Sequence, residues 1–411
     1  MERYIMKPVK VSNGIYQLSV AVEDILFEGI WEIPKGVTVN SYIVKGEKTA
    51  IIDGVCGWDG VPETLIKMLN DIDINPEDID YLVINHMEPD HSGWIEDFKK
   101  IRSDFEIVCT EKAAALLEHF YQHEENIRVV KDGDSLDLGH GRVLEFSEVP
   151  NVHWPETMMT FDSQSKTLFP CDLFGTFGIF DGHSFDDHFN ADEHPFFEEE
   201  GLRYFSNVMA TFSSQVKKAV EKTEALPVEV IAPGHGLIWR KNIQTIIDAY
   251  KRYIDYSLHY GKKDEVMILW GSMYGMTEKA VYHVEKYLTN KGLTVHSHRV
   301  PETSLGQVLT SALASATIIV AAPTYEYNMF PPVAAALEEI GRKRISHRLS
   351  YCFGSHGWVP GTVKELKDII ERTRMKWKLV ESFQFKGEAN QEDYSRIEAD
   401  LDSLIEEINA L

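Results

Sequence analysis

The stretch Asn85-His86-Met87-Glu88-Pro89-Asp90-His91-Ser92-Gly93 carries four potential metal ligands within six residues, His86, Glu88, Asp90 and His91. It follows the apolar run Tyr81-Leu82-Val83-Ile84, which reads as a buried parallel strand. Pro89 can neither extend a ladder nor sit inside a helix, so the polar cluster is expected on an irregular loop at that strand's carboxyl end. A merely solvated acidic loop has no reason to mix His, Glu and Asp at alternate positions. A metal-binding loop with a rigid strand behind it does.

Working outward, three further ligand candidates stand just beyond apolar runs, each beside glycine or proline. His153 follows Val143-Leu144-Glu145-Phe146 and opens His153-Trp154-Pro155; Asp172 follows Leu168-Phe169-Pro170-Cys171; His235 lies in Ala232-Pro233-Gly234-His235-Gly236, after Val228-Glu229-Val230-Ile231. Any one of them alone is an ordinary turn residue. Together they persuade, because the strand ends of one sheet can converge on one crevice. His86, Glu88, Asp90, His153, Asp172 and His235 offer imidazoles and carboxylates without a thiolate. That is too many donors for one tetrahedral zinc, and it suits two metals sharing a bridging carboxylate. Balanced nitrogen and oxygen donors favour iron or manganese, with zinc still allowed by ligand type.

Around these residues the first half reads as strands with interleaved helices. Strands are expected at 14–18, 37–44 and 49–52, with a hairpin turn at Gly46-Glu47, and again from Ile127 to Pro170; helices are expected after Pro62, around Phe98 and over 111–121. Strands dominate, which suggests sheets stacked as a sandwich and covered by helices. A long helix is expected over 196–220 and another over 243–256. The aromatic, acidic segment 175–197 reads as a lid over the crevice or as a solvated loop.

Length and composition set the frame. A chain of 411 residues is long for one core, and 44% hydrophobic with 26% charged residues is ordinarily globular. A formal net charge of -24 argues against a nucleic-acid partner. No apolar stretch approaches the ~20 residues of a membrane span, and no secretory signal opens the sequence. Cys56, Cys109, Cys171 and Cys352 are far apart in sequence, as reduced thiols of a cytoplasmic protein would be.

The motif His86-x-Glu88-x-Asp90-His91, with His153, Asp172 and His235 downstream, resembles the metallo-β-lactamase-like domain of flavodiiron proteins, an αββα sandwich. Hydrolytic relatives usually show His-x-His-x-Asp-His, so Glu88 is the discriminating residue. The resemblance implies one iron held by His86, Glu88 and His153, another by Asp90 and His235, and Asp172 bridging. His91 is the further metal candidate, a position at which members of the family differ.

Near Gly261-Lys262-Lys263-Asp264 the chain turns polar and then alternates cleanly: strands at 266–270, 294–299, 317–321, 350–353 and 378–383 separated by helices. That is a doubly wound parallel sheet, and it divides the protein into domains 1–260 and 261–411. The first strand-to-helix turn, Gly271-Ser272-Met273-Tyr274-Gly275-Met276-Thr277, leaves backbone N–H groups to cradle a phosphate. It lacks both GxGxxG and a P-loop lysine, so a single terminal phosphate fits best. Two more strand ends carry Pro323-Thr324-Tyr325-Glu326-Tyr327-Asn328 and Gly354-Ser355-His356-Gly357-Trp358, with aromatics to flank a flat ring. Three such loops at successive strand ends point to an FMN site. This half resembles flavodoxin, though Tyr325-Glu326-Tyr327 is bulkier and more acidic than usual and Val359-Pro360-Gly361 replaces a glycine-rich run.

A lactamase-like domain followed by a flavodoxin-like one is the flavodiiron arrangement, here with no rubredoxin-like module after Leu411. The resemblance implies an oxidoreductase reducing O2 to water at two iron ions with electrons passed through FMN. Its donor is expected to be reduced coenzyme F420, as in the methanogen branch, or else rubredoxin. It also implies a homodimer or dimer of dimers, head to tail. Reduction of NO to N2O and, from another class, a binuclear hydrolase are the alternatives.

Overall fold

The computed structural model describes residues 3–5, 7–54, 61–180, 183–188 and 193–411. Its contacts divide the chain into two compact units, residues 1–205 with 214–251, and residues 206–213 with 252–411. The boundary read at 260/261 differs from this division. Residues 252–260, which include the end of the helix Ile243–Leu258, pack with the second unit, as does the short insert 206–213.

In the first unit, two sheets share one core. The larger runs Arg3–Ile5, Ile15–Val22, Val37–Lys45, Thr49–Ile52, Ile79–Val83, Glu106–Cys109, Ile127–Val129, with Val9–Ser12 also on Ile15–Val22. It is antiparallel up to Thr49–Ile52 and parallel from there to Ile127–Val129. The smaller runs Ser135–Gly139, Arg142–Glu148, Met158–Asp162, Thr167–Phe169, Val230–Ile231, with only the last pair parallel. Strand period decides which side chains meet: Tyr42, Val44, Ala50, Ile52, Tyr81 and Val83 face Leu136, Leu138, Leu144, Phe146, Met158 and Phe169 in one buried cluster. Directions then position the site. Arg142–Glu148 and Thr167–Phe169 both run antiparallel to Met158–Asp162, so their carboxyl ends, and that of the parallel Val230–Ile231, share one edge of the sheet.

Two expectations need correction here. The ligand stretch is not wholly irregular, because Pro89–Ser92 forms one helical turn. Pro89 sits at its first position, where a missing N–H costs nothing. Nor is 196–220 one helix: α-helix Glu193–Tyr204 gives way to a π-turn at Phe205–Met209 and a 3-10 turn at Ala210–Phe212 before Ser213–Ala225. In the segment 175–197, Phe177, Phe180 and Phe185 are buried, and Ser184 and Asp186 exchange backbone bonds with Ile238. Residues 181–182 and 189–192 of it, like Cys56, lie outside the described residues; Cys109, Cys171 and Cys352 are buried free thiols.

The second unit carries a five-stranded parallel sheet ordered Thr294–Arg299, Lys262–Trp270, Ser315–Ala321, Leu349–His356, Lys378–Lys386. In sequence order this is 2-1-3-4-5, the flavodoxin-like order, with its switch point beside the first strand. Loop 322–330 contains a small hairpin, Thr324–Tyr325 on Asn328–Met329, where the sequence pattern predicts only a loop. No helix among the described residues is long and apolar enough to cross a membrane.

Candidate metal centre and flavin cradle

All seven metal candidates come together, in two half-sites. His86, Glu88, His153 and Asp172 form the first; Asp90, His91 and His235 gather beside the same Asp172. In the first, Glu88 Oε2 lies 2.9 Å from His153 Nε2 and 3.3 Å from His86 Nε2. Asp172 Oδ2 stands 3.2 and 3.3 Å from the same two nitrogens. In the second, Asp172 Oδ1 lies 3.0 Å from His91 Nε2 and 3.4 Å from His235 Nε2. Asp90 Oδ2 is 3.5 and 3.4 Å from those nitrogens. Asp172 thus turns one oxygen to each half-site, the geometry a bridging carboxylate needs. Donors around one metal at ~2.0–2.2 Å sit roughly 3.0–3.5 Å apart, whether six- or four-coordinate.

The outer partners fix which nitrogen faces inward. His86 Nδ1 donates to Glu156 Oε1 at 2.8 Å, and His235 Nδ1 donates to the Thr38 carbonyl at 2.9 Å. Each therefore offers its Nε2 lone pair to the centre. The ligand loop itself is tied down by Asp53, whose carboxylate accepts from Asn85 N at 2.7 Å and Asn85 Nδ2 at 3.1 Å. Asn85 in turn accepts from Thr160 at 2.7 Å. Glu156 and Asp53 were not found by sequence reasoning; Glu156 stands only three residues past His153, and that proximity was the available signal.

Electrostatics asks for cations here. Three carboxylates, Glu88, Asp90 and Asp172, crowd a site whose ligands are mostly buried, and Asp90 Oδ1 has no hydrogen-bond partner among the described residues. Burial lowers the imidazoles, yet Asp172 and Glu88 carry His153 up to about 9, and Asp172 and Asp90 carry His235 up to about 10. Burial would likewise raise Asp172, but the surrounding histidines hold it well below the usual carboxylate range. Protons or metal ions can answer that demand; the converging lone pairs fit metal.

In the second unit, the loops after Lys262–Trp270, Ser315–Ala321 and Leu349–His356 lie at one edge of the sheet. Gly275, at φ 86°, turns the chain into the helix Met276–Asn290, and a Cβ there would meet nothing within 4 Å. Its N–H donates to Ser272 Oγ at 3.0 Å. Thr277 Oγ1 lies 3.0 Å from Ser355 Oγ, joining the first loop to the third, and Gly361 N donates to Thr324 Oγ1 at 3.0 Å, joining the second to the third. Tyr274, Tyr325, Tyr327 and Trp358 are exposed. This turn at a helix N-terminus, open beside Gly275 and with exposed aromatics around it, fits a phosphate and a flat ring.

A metallo-β-lactamase-like unit with a two-metal donor set, joined to a flavodoxin-like unit, defines a class that combines a redox metal pair with a flavin. The family model described as "ODP family beta lactamase" matches residues 37–236. The chain is 30% identical over 375 residues to a nitric oxide reductase of Moorella thermoacetica, covering 90% of this chain and 91% of that one. Among solved structures, it superposes on rubredoxin oxygen:oxidoreductase of Desulfovibrio gigas with a TM-score of 0.88, 25% identity, and 98% and 99% coverage. On a variant of the flavo di-iron protein of Thermotoga maritima, the TM-score is 0.89 with 27% identity and 99% and 100% coverage. The chain belongs to the flavodiiron family of oxidoreductases, whose members carry a di-iron centre and FMN.

Proposed function

We propose that this protein reduces O2 to water, with domain 1–260 as the metal domain and 261–411 as the flavin domain. Two irons held by His86, Glu88, His153, Asp90, His91, His235 and the bridging Asp172 would supply gas binding and reduction, and FMN would supply electrons two at a time. The observation that carries the reading is the split of Asp172 between two half-sites. Ser272, Met273, Tyr274, Gly275, Met276 and Thr277 would hold the FMN phosphate. Pro323 to Asn328 and Gly354 to Trp358 would flank its ring.

The chain's own groups do the rest. Glu156 and Thr38 hold His86 and His235 in one tautomer. Phe27 and Tyr204 pack on His235, with ring centroids 5.5 and 5.8 Å away, and Trp154 packs on His86 at 5.2 Å. These rings keep bulk water from the buried imidazoles, leaving Glu88, at 14% side-chain exposure, as the wetter edge.

Reduced coenzyme F420 is our proposed donor, supported by the net charge of -24, which gives an acidic protein carrier no steering. Rubredoxin is the alternative, and the name of the D. gigas structure favours it. Reduction of NO to N2O is the second reading of the substrate, supported by the name of the Moorella relative. A homodimer or dimer of dimers in a cytoplasmic setting completes the proposal. The test mixes purified protein with reduced F420 and then O2 or NO, following F420 reoxidation with and without added rubredoxin. Fast reoxidation by O2 without rubredoxin supports the full reading; activity only with rubredoxin replaces the donor, and preference for NO replaces the substrate.

A further inference from the structure

The two half-sites differ in whether a carboxylate accepts from the remote nitrogen of a ligand imidazole; Asp53, buried near His91, accepts from Asn85 instead. Each has its own carboxylate, Glu88 or Asp90, and each shares Asp172. Behind the first stands a further carboxylate, Glu156, 2% exposed, whose Oε1 accepts from His86 Nδ1 at 2.8 Å and from Met87 N at 3.0 Å. Behind the second, His235 Nδ1 meets only a neutral carbonyl, and His91 Nδ1 is buried with no partner among the described residues. A carboxylate accepting from the remote nitrogen of an imidazole makes the near nitrogen a stronger metal donor, and losing such a partner typically costs 10–100-fold in metal affinity.

We infer that Glu156 is a positioning residue that makes the two half-sites unequal, so that the ion held by His86, Glu88 and His153 is retained after the ion beside Asp90, His91 and His235 has gone. This rests on the two-metal reading. It goes beyond it in naming the order of loss and the residue that sets it. Glu156 touches no gas or flavin; it acts through His86.

The test strips the iron-loaded full chain with increasing chelator, reading iron lost by the absorbance of its chelate. Anomalous diffraction at the iron edge then locates what remains. The expected result is a plateau at one iron per chain, lying in the His86 half-site. Glu156→Gln keeps the shape and can still accept both hydrogen bonds, but removes the charge. It is expected to weaken the retained ion about tenfold and merge the two steps, while the metal-free protein still folds with the circular dichroism of the unaltered chain. Glu156→Asp, which restores the charge, is expected to recover part of the gap. Loss of both irons in one step from the unaltered protein, or a Glu156→Gln profile identical to it, would overturn the inference and leave the two-metal reading standing. A purified chain that never holds two metal ions would overturn that reading and the inference with it.

Discussion

Gly234 lies so close to His91 that a Cβ at position 234 would stand 2.8 Å from the imidazole Cε1. The backbone there is held from both sides, by Gly234 N donating to the Cys171 carbonyl at 2.7 Å and by Asn40 N donating to the Gly234 carbonyl at 2.8 Å. Gly234→Ala therefore pushes the ring and leaves the loop where it is. Metal analysis should find the second half-site depleted and the first still filled, in a protein that folds normally. Full occupancy of both would mean that His91 has room to move or does not ligate.

Glu88 is the carboxylate where hydrolytic relatives carry a histidine. Its Oε2 sits between His86 and His153, so Glu88→His would put three imidazoles and one shared carboxylate around one metal, a donor set closer to zinc's preference. Protein made in medium containing both metals should exchange iron for zinc in that half-site and lose gas reduction. Unchanged iron content and rate would remove Glu88 from the ligand set.

His298 gives the second unit a pH-dependent stability. It is buried against Ser311, with Nε2 to Oγ at 2.7 Å. Burial, aided by His296, lowers it from 6.5 to about 4. Between those values the unfolded chain binds a proton that the folded one refuses, so the contribution is complete above 6.5 and is lost as pH falls toward 4. At pH 5 the loss is on the order of 2 kcal/mol. Denaturant titrations at pH 7.5 and 5 should show this difference, and His298→Gln should shrink it by a similar amount. An identical pH response in the variant would refute the assignment.

Arg348 is fully buried with no carboxylate beside it among the described residues. Its guanidinium donates to the carbonyls of Tyr256, His259, Ala312, Leu313 and Ser346 at 2.6–3.1 Å. Four of these belong to the ends of the helices Ile243–Leu258 and Leu305–Ala314 or follow directly, where unpaired carbonyls carry partial negative charge. Arg348→Met would orphan five acceptors at a cost of roughly 3 kcal/mol or more, read as a lower melting temperature; Arg348→Lys should recover only part.

Much of this was legible in the sequence because strand ends and glycine or proline punctuation mark where ligands can stand. His86, Glu88, Asp90, His91, His153, Asp172 and His235 each follow or adjoin an apolar run, and the two sheets bring those ends to one edge. Glu156 was not legible as a partner of His86, because that contact depends on how loops from two different sheets meet, 70 residues apart. The helical turn at Pro89 is hidden because proline, a breaker inside helices, is also a favoured first residue. The break after Tyr204 had a signal: Ser206, Asn207, Thr211, Ser213 and Ser214 are poor helix formers, outweighed by the apolar pattern around them.

The most direct measurement is the metal and flavin content of the purified full-length chain, iron and zinc by elemental analysis and FMN by absorbance after release. The expected result is two irons and one FMN per chain. Two zinc ions without flavin would contradict it, and would return the first unit to the binuclear hydrolases.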